Sequence, residues 1–214
     1  MSVTTRLTIL AAVFGCFMIG GIAHAAAPAP SGASAVTVRA GEVLRGHFIQ
    51  TRHMSGFAKP LKSEGSFTIA PQYGLIWTVT KPLRSATVIT ESGLVQSNNG
   101  VETLNLSARK MPFIAQLHDM IAGMLTGDVA AMQQKFTLTQ QGTPQSWRIR
   151  LVPRKANDAM MPFKEIRAHG GRFVEEVTMV RSDGDSDVLS FDGVTLATTT
   201  LTAAERASFH LSAP

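Results

Sequence analysis

Ser107 and Lys110 stand at the Ser-x-x-Lys spacing in which a lysine activates a serine nucleophile. The companion motifs of that serine-enzyme class are missing from the chain, so the pair lacks the partners the chemistry needs. His169-Gly170-Gly171 matches part of a lipase oxyanion motif, but no Gly-x-Ser-x-Gly elbow supplies a nucleophile, and a hairpin turn accounts for the triplet. Asp183, Asp185 and Asp187 imitate the start of a calcium loop. Its sixth position is Val188 instead of glycine and its twelfth is Val194 instead of glutamate, so a solvated turn is expected. His47, His53, His118, His169 and His210 show no metal-ligand spacing such as His-x-x-x-His. Glu175 and Glu176 cannot work as a catalytic pair from one face, because neighbours on a strand point to opposite sides. No catalytic residue, metal ligand set or cofactor is expected, and the function is read as non-enzymatic.

The elements that must carry these residues are almost all strands. Period-two apolar spacing or β-branched richness marks Leu44–Arg52, Ser66–Ala70, Leu75–Thr80, Ala86–Thr90, Gly93–Ser97, Thr103–Ser107, Phe136–Gln140, Trp147–Val152, Lys164–His169, Phe173–Val180, Val188–Phe191 and Val194–Thr200. That makes about a dozen short strands. The breaks carry turn chemistry, as in Pro71-Gln72-Tyr73-Gly74, Asn98-Asn99-Gly100 and Ser182-Asp183-Gly184, and their shortness implies antiparallel neighbours. The exception is "KMPFIAQLHDMIAGMLTGDVAAMQQKF", residues 110–136, where Phe113, Ile114, Leu117, Met120, Ile121, Met124 and Leu125 fall at helical spacing. Pro112 suits the first turn, and Asp128 caps a second short helix, 128–135. A large curved sheet needs its apolar concave face closed, and this helical pair is the one sizeable apolar segment that can close it. Its methionines Met111, Met120, Met124 and Met132 would make a flexible lining.

Compartment is read from the first residues. A positive Arg6, an apolar run from Leu7 to Ile22 and the small-x-small triplet Ala23-His24-Ala25 have the layout of a cleaved secretory signal peptide, residues 1–25. A Pro/Ala/Ser/Gly leader, 26–34, is expected to be flexible, and a single domain, 35–214, follows. The sole cysteine, Cys16, leaves with the signal, so the mature chain has no disulfide and no thiol chemistry. The formal charge of +5, of which Arg6 is one unit, is dispersed without basic runs or aromatic interleaving, and nucleic acid is not expected as a partner.

The stretch "GHFIQTRHMSGFAKPLKSEGSFTIAPQYGLIWTVTKPLRSATVIT", residues 46–90, resembles the opening of LolA-type outer-membrane lipoprotein carriers. It holds a Phe-x-Gln pair (Phe48, Gln50), a Gly-x-Phe strand (Gly65, Phe67), then Pro71, Trp77 and Pro82. "MLTGDVAAMQQKF", "WRIRLVPR" and "FDGV" follow in the order found in LolA-like proteins. The resemblance implies a mainly β fold: an unclosed antiparallel barrel under a helical lid. It further implies acyl chains held between sheet and lid, and a lipidated cargo ferried across the periplasm. The implied partners are an acylated lipoprotein or other lipid, an inner-membrane donor and an outer-membrane acceptor, with the carrier a monomer. One departure is Ala70, which fills the place before Pro71 where family carriers usually have an arginine that holds the lid shut.

On alternation, Phe48, Phe67, Leu75, Trp77, Val79, Phe173 and Val177 are the candidates for a lipid-binding cavity, and Phe113, Leu117, Met120, Ile121 and Met124 for the lid. Each CH₂ removed from water contributes roughly 0.8 kcal/mol, so a 16-carbon chain gains on the order of 10 kcal/mol in a dry cavity. The competing reading is a LolA-like interaction or sensor domain that binds a protein partner along its sheet edge or helices. The export reading gives a first test: the mass of the exported protein should correspond to a chain starting at Ala26. A retained segment 1–25, or a diacyl mass on Cys16, would refute it.

Overall fold

Extended backbone sends successive side chains to opposite sides, so a strand buried on one face alternates apolar and polar residues, and one buried on both faces is apolar throughout. Both patterns occur in this chain. The computed structural model describes residues 38–111, 114, 136–154 and 163–211. Its strands are β1 (Glu42–His53), β2 (Leu61–Ala70), β3 (Gly74–Lys81), β4 (Ser85–Ile89), β5 (Gly93–Asn98), β6 (Val101–Ser107), β7 (Phe136–Thr143), β8 (Ser146–Pro153), β9 (Phe163–Gly170), β10 (Val174–Arg181) and β11 (Ser186–Thr198). They form one hydrogen-bonded sheet in the order β6-β5-β4-β3-β2-β1-β11-β10-β9-β8-β7, with β6 and β7 at its unjoined ends. The hairpins are antiparallel, among them β2–β3, β3–β4, β7–β8 and β9–β10. Among the described residues eleven strands stand where about twelve were expected, because the two segments read as Val188–Phe191 and Val194–Thr200 are one strand that runs through Asp192 and Gly193.

The chain divides into two compact units, one holding Gln50–Leu61 and Gly127–Ser190, the other Val38–Ile49, Lys62–Thr126 and Phe191–Pro214. We call them the β7–β10 unit and the β2–β6 unit. In the β7–β10 unit one face is apolar. Trp147, Ile149 and Leu151 on β8 alternate with exposed Arg148 and Arg150. Ile149 pairs with Ala168 and Leu151 with Ile166, while Val177 stands opposite both Ala168 and Leu189. Every one of these inward side chains is buried.

The β2–β6 unit is buried on both faces. On one, Ile69 pairs with Leu75, Leu75 with Ile89 and Ile89 with Leu94, each at most 1% exposed. On the other, Ala70, Ile76 and Val88 join Val43, Leu201 and Phe209 in a buried cluster. Leu201 and Phe209 flank and belong to helix α1 (Ala203–Leu211), which covers this second face. The β5–β6 turn follows its sequence closely, since Asn99 and Gly100 both take positive φ (49° and 81°), as a two-residue hairpin loop requires.

Helix α1 was not foreseen from the sequence, although its cap is legible. Thr202 accepts the Glu205 N–H at 3.2 Å and Glu205 accepts the Thr202 N–H at 2.7 Å, a reciprocal capping box. The lid segment lies outside the described residues, including Phe113, Leu117, Met120, Ile121 and Met124, so the unclosed sheet is supported and the helical lid is not. Between residues 112 and 135 Ile114 alone is described, helical and fully buried. The expected signal segment, 1–25, and leader, 26–34, also lie outside the described residues.

Glu205 ties α1 to the sheet. Arg45 donates to it from both Nε and Nη2 at 2.7 Å, and the Thr68 hydroxyl donates at 3.0 Å. These bonds, that from Arg45 foremost, bring the carboxyl down from 4.5 to about 2 against the opposing effect of burial. A carboxyl depressed on folding stabilises the fold above its unfolded value, and that contribution is lost as pH falls from 4.5 through 2. Glu205→Ala should therefore cost about 2 kcal/mol at pH 7, through the lost cap and the unpaired Arg45. Urea unfolding at a series of pH values would check this: the gap between the two proteins should close progressively below pH 4.5.

Candidate functional site

The first face of the β2–β6 unit carries an aromatic wall. Trp77 on β3 stands directly opposite Phe67 on β2, their ring centroids 6.2 Å apart and nearly parallel. Phe48 on β1 stacks on Trp77 at 3.8 Å, and Phe191 meets Phe67 edge-on at 5.7 Å. Rings at these separations add about 0.5–1.5 kcal/mol per pair beyond the area they bury. Phe48, Phe67, Leu75 and Trp77 are at most 4% exposed, and together with Ile69, Ile89 and Leu94 they make a continuous apolar surface.

The Gly-x-Phe motif has a physical reason here. A side chain at Gly65 would place its Cβ 1.9 Å from the Thr78 carbonyl oxygen and 2.9 Å from the Phe48 ring, so only glycine lets β2 approach β3 while Phe48 folds over them. The Phe-x-Gln motif divides its labour: Phe48 joins the aromatic wall, and Gln50 donates its amide to Asp187 at 2.8 Å.

A family model described as "Outer membrane lipoprotein carrier protein LolA-like" matches residues 22–208 of the chain. The protein belongs to this LolA-like family. Solved structures similar to it include a LolA superfamily protein from Nitrosomonas europaea, 11% identical with a TM-score of 0.40, covering 78% of this chain and 90% of that one. Another is a lipoprotein-sorting protein domain from Vibrio parahaemolyticus, 8% identical with a TM-score of 0.39 over 80% and 92% of the two chains. The Pseudomonas aeruginosa MucA/MucB complex is 10% identical with a TM-score of 0.33, over 76% and 54%. Comparison with curated proteins found no match.

Within this LolA-like protein the seven expected cavity residues separate. Phe48, Phe67, Leu75 and Trp77 come together in the β2–β6 unit, and Val79, half-buried, continues their row opposite Gly65 and Ser85. Val177 belongs to the apolar face of the β7–β10 unit. Phe173 falls in the turn before β10 instead of on the strand, its ring under the Arg172 guanidinium at 5.2 Å. A register shift between Val174 and Glu176 breaks the alternation that would have aligned it with Val177. Ala70 is buried on the α1 side, in the cluster with Leu201 and Phe209.

The motifs that suggested chemistry have local uses. Trp147 donates its indole N–H to the Gly171 carbonyl at 2.6 Å, which ties the β9–β10 turn to β8. The Ser107 hydroxyl accepts the Arg109 N–H at 3.3 Å. Asp183 accepts the Asp185 N–H, Asp185 accepts the Ser55 N–H, and Asp187 turns inward to Gln50 and Arg181. Two features went unread in the sequence. One is a cleft of about 480 Å³ on the α1 side, lined by Tyr73, Leu201, Arg206, Phe209 and His210 among others. The other is the charged cluster around Asp187, whose signal was available: Arg181 and Asp187 occupy inward positions of strands whose other inward residues are apolar.

The close approach at Gly65 generates a prediction. Gly65→Ala should cost roughly 2–4 kcal/mol, because either the β2–β3 ladder or the Phe48 ring must yield. Gly184→Ala, at a positive φ of 94° with open space around it, should cost only about 1 kcal/mol. Thermal melts of the two variants beside the parent protein would compare them.

Proposed function

We infer that the protein is a periplasmic carrier that takes up the acyl chains of a lipoprotein or other lipid on its apolar sheet face and ferries them toward the outer membrane. The observation that carries this reading is the aromatic wall, in a chain that belongs to the LolA-like family. The β2–β6 unit is buried on both faces, and among its described elements a helix lies over only one. The other face, lined by Phe48, Phe67, Leu75, Trp77 and Val79, offers non-directional contact alone, which suits uptake and release of a flexible chain better than a hydrogen-bonded site does.

Phe113, Leu117, Met120, Ile121 and Met124 are proposed to cover this face, a role that the complete burial of neighbouring Ile114 supports. Val177 and Phe173 are retained as secondary acyl contacts of the β7–β10 unit. In this reading the chain is exported through a cleaved signal peptide and works as a monomer. It receives cargo from an inner-membrane donor and yields it to an outer-membrane acceptor. Its family is described by carriage and not by a reaction.

Tryptophan emission tests the wall. In a Trp147→Phe variant the remaining fluorescence comes from Trp77, and palmitate should shift or quench it, while a Trp77→Phe variant should respond little. The opposite pattern would move the acyl site away from this wall. Protein purified from its native envelope should also release acyl-chain lipids into organic solvent, as read by mass spectrometry.

A further inference from the structure

The β7–β10 unit encloses a charge cluster that joins β1, β10 and β11. Asp187 is fully enclosed, and Arg181 and Gln50 are each 6% exposed. Burying a carboxylate costs several kcal/mol unless it is matched in charge and hydrogen bonding, and here the match is complete. Arg181 donates to Oδ2 from Nε at 3.2 Å and Nη2 at 3.0 Å, Gln50 donates to Oδ1 at 2.8 Å, and the Phe163 ring lies 5.7 Å from the Arg181 guanidinium carbon.

Arg52 is a second guanidinium brought to the same carboxylate. Its Nε lies 4.0 Å from Oδ1, too far for a hydrogen bond, and is buried without an acceptor. Among the described residues Asp187 is its only ionic partner, and that charge is already answered by Arg181. A cluster selected for stability alone would stop at Arg181. Among the described residues the added arginine leaves one positive charge in excess and one enclosed N–H without an acceptor, an arrangement that favours an anion at the open end of the guanidinium.

The neighbours of this excess charge say what kind of anion fits. Arg181 follows Val177 and Met179 along the inward row of β10, and Asp187 stands opposite Met179 just as Leu189 stands opposite Val177. The cation therefore terminates an apolar row, and the Arg52 side chain keeps 15% of its surface open. An apolar row ending in a guanidinium has the chemistry of an acyl chain with an anionic head.

We propose that Arg52, backed by the neutral Arg181–Asp187–Gln50 set, receives the anionic oxygens of the carried lipid's head group, either a carboxylate or a phosphate. The proposal rests on the acyl-carrier reading and narrows its cargo to lipids with an anionic head. A guanidinium serves either head by paired N–H donors.

Calorimetric titration of the exported protein with palmitate, hexadecyl phosphate, methyl palmitate and acetate tests it. Both anionic lipids should bind about tenfold or more tighter than the methyl ester, as expected for a charge-assisted contact, and the tighter of the two identifies the head. Arg52→Gln should bring both down to the level of the ester. Arg52→Lys, which keeps the charge without the planar fork, should retain part of the preference, and thermal melts would confirm that both variants fold. Equal binding of palmitate and its ester by the parent protein, or equal weakening of all three by Arg52→Gln, would overturn the head-group assignment and leave the carrier reading standing. Competition by acetate at palmitate's own concentration would also overturn it, by assigning Arg52 to small free anions. Failure of every acyl ligand to bind would instead overturn the carrier reading, and the head-group site with it.

Discussion

A β-strand cannot place two neighbouring residues on the same side, and most of what distinguishes this molecule follows from how it meets that restriction where both sides must be dry. In the β2–β6 unit, Leu75, Ile76 and Trp77 are consecutive and all buried, so β3 feeds two different interiors. Leu75 and Trp77 go to the aromatic side with Phe67 and Phe48, while Ile76 goes to the cluster beneath α1. Everything nearby adjusts to this double duty. Gly65 gives up a side chain so that β2 can approach β3 under the Phe48 ring, and α1 is anchored through Glu205 to seal the side that the aromatic residues leave.

Charge is handled by two contrasting arrangements. Glu205 is satisfied by its own helix cap, by Arg45 and by Thr68, and the result is a closed joint between helix and sheet. Asp187 is equally satisfied, but the structure then adds Arg52, whose charge has no counterpart of its own among the described residues. Stability accounts for the first arrangement. The second fits an anion bound at Arg52, as proposed, whereas the surface pairs such as Arg150 with Glu165 contribute little in solvent.

Periodicity made the strands legible. Alternation placed nine of the strands within three residues of their observed limits, β2 beginning five residues earlier than expected, and short turns implied their antiparallel neighbours, because turn residues such as Asn99-Gly100 and the apolar rows depend only on local backbone geometry. Phe48, Phe67, Leu75 and Trp77 were recognisable as one face for the same reason. Where alternation is locally broken the reading failed: the irregularity beside Glu175 detached Phe173 from Val177, and β11 continued through Asp192 and Gly193, where a break was expected. The α1 cap was written in Thr202 and Glu205 but was too short a signal to stand out from a strand-rich chain.

The sequence by itself determined the β character, the family and the apolar row of the wall, since each is a pattern within a strand or a run of motifs in order. Only the tertiary structure decided which face α1 covers, that Ala70 lies beneath it, and that Gln50, Arg52, Arg181 and Asp187 converge. Gln50 and Arg52 on β1 lie more than a hundred positions from Arg181 and Asp187 on β10 and β11, and no local rule relates the two pairs. The order of strands in the sheet, set by which edges can bury their apolar rows together, is what brings opposite charges from distant segments into one dry place.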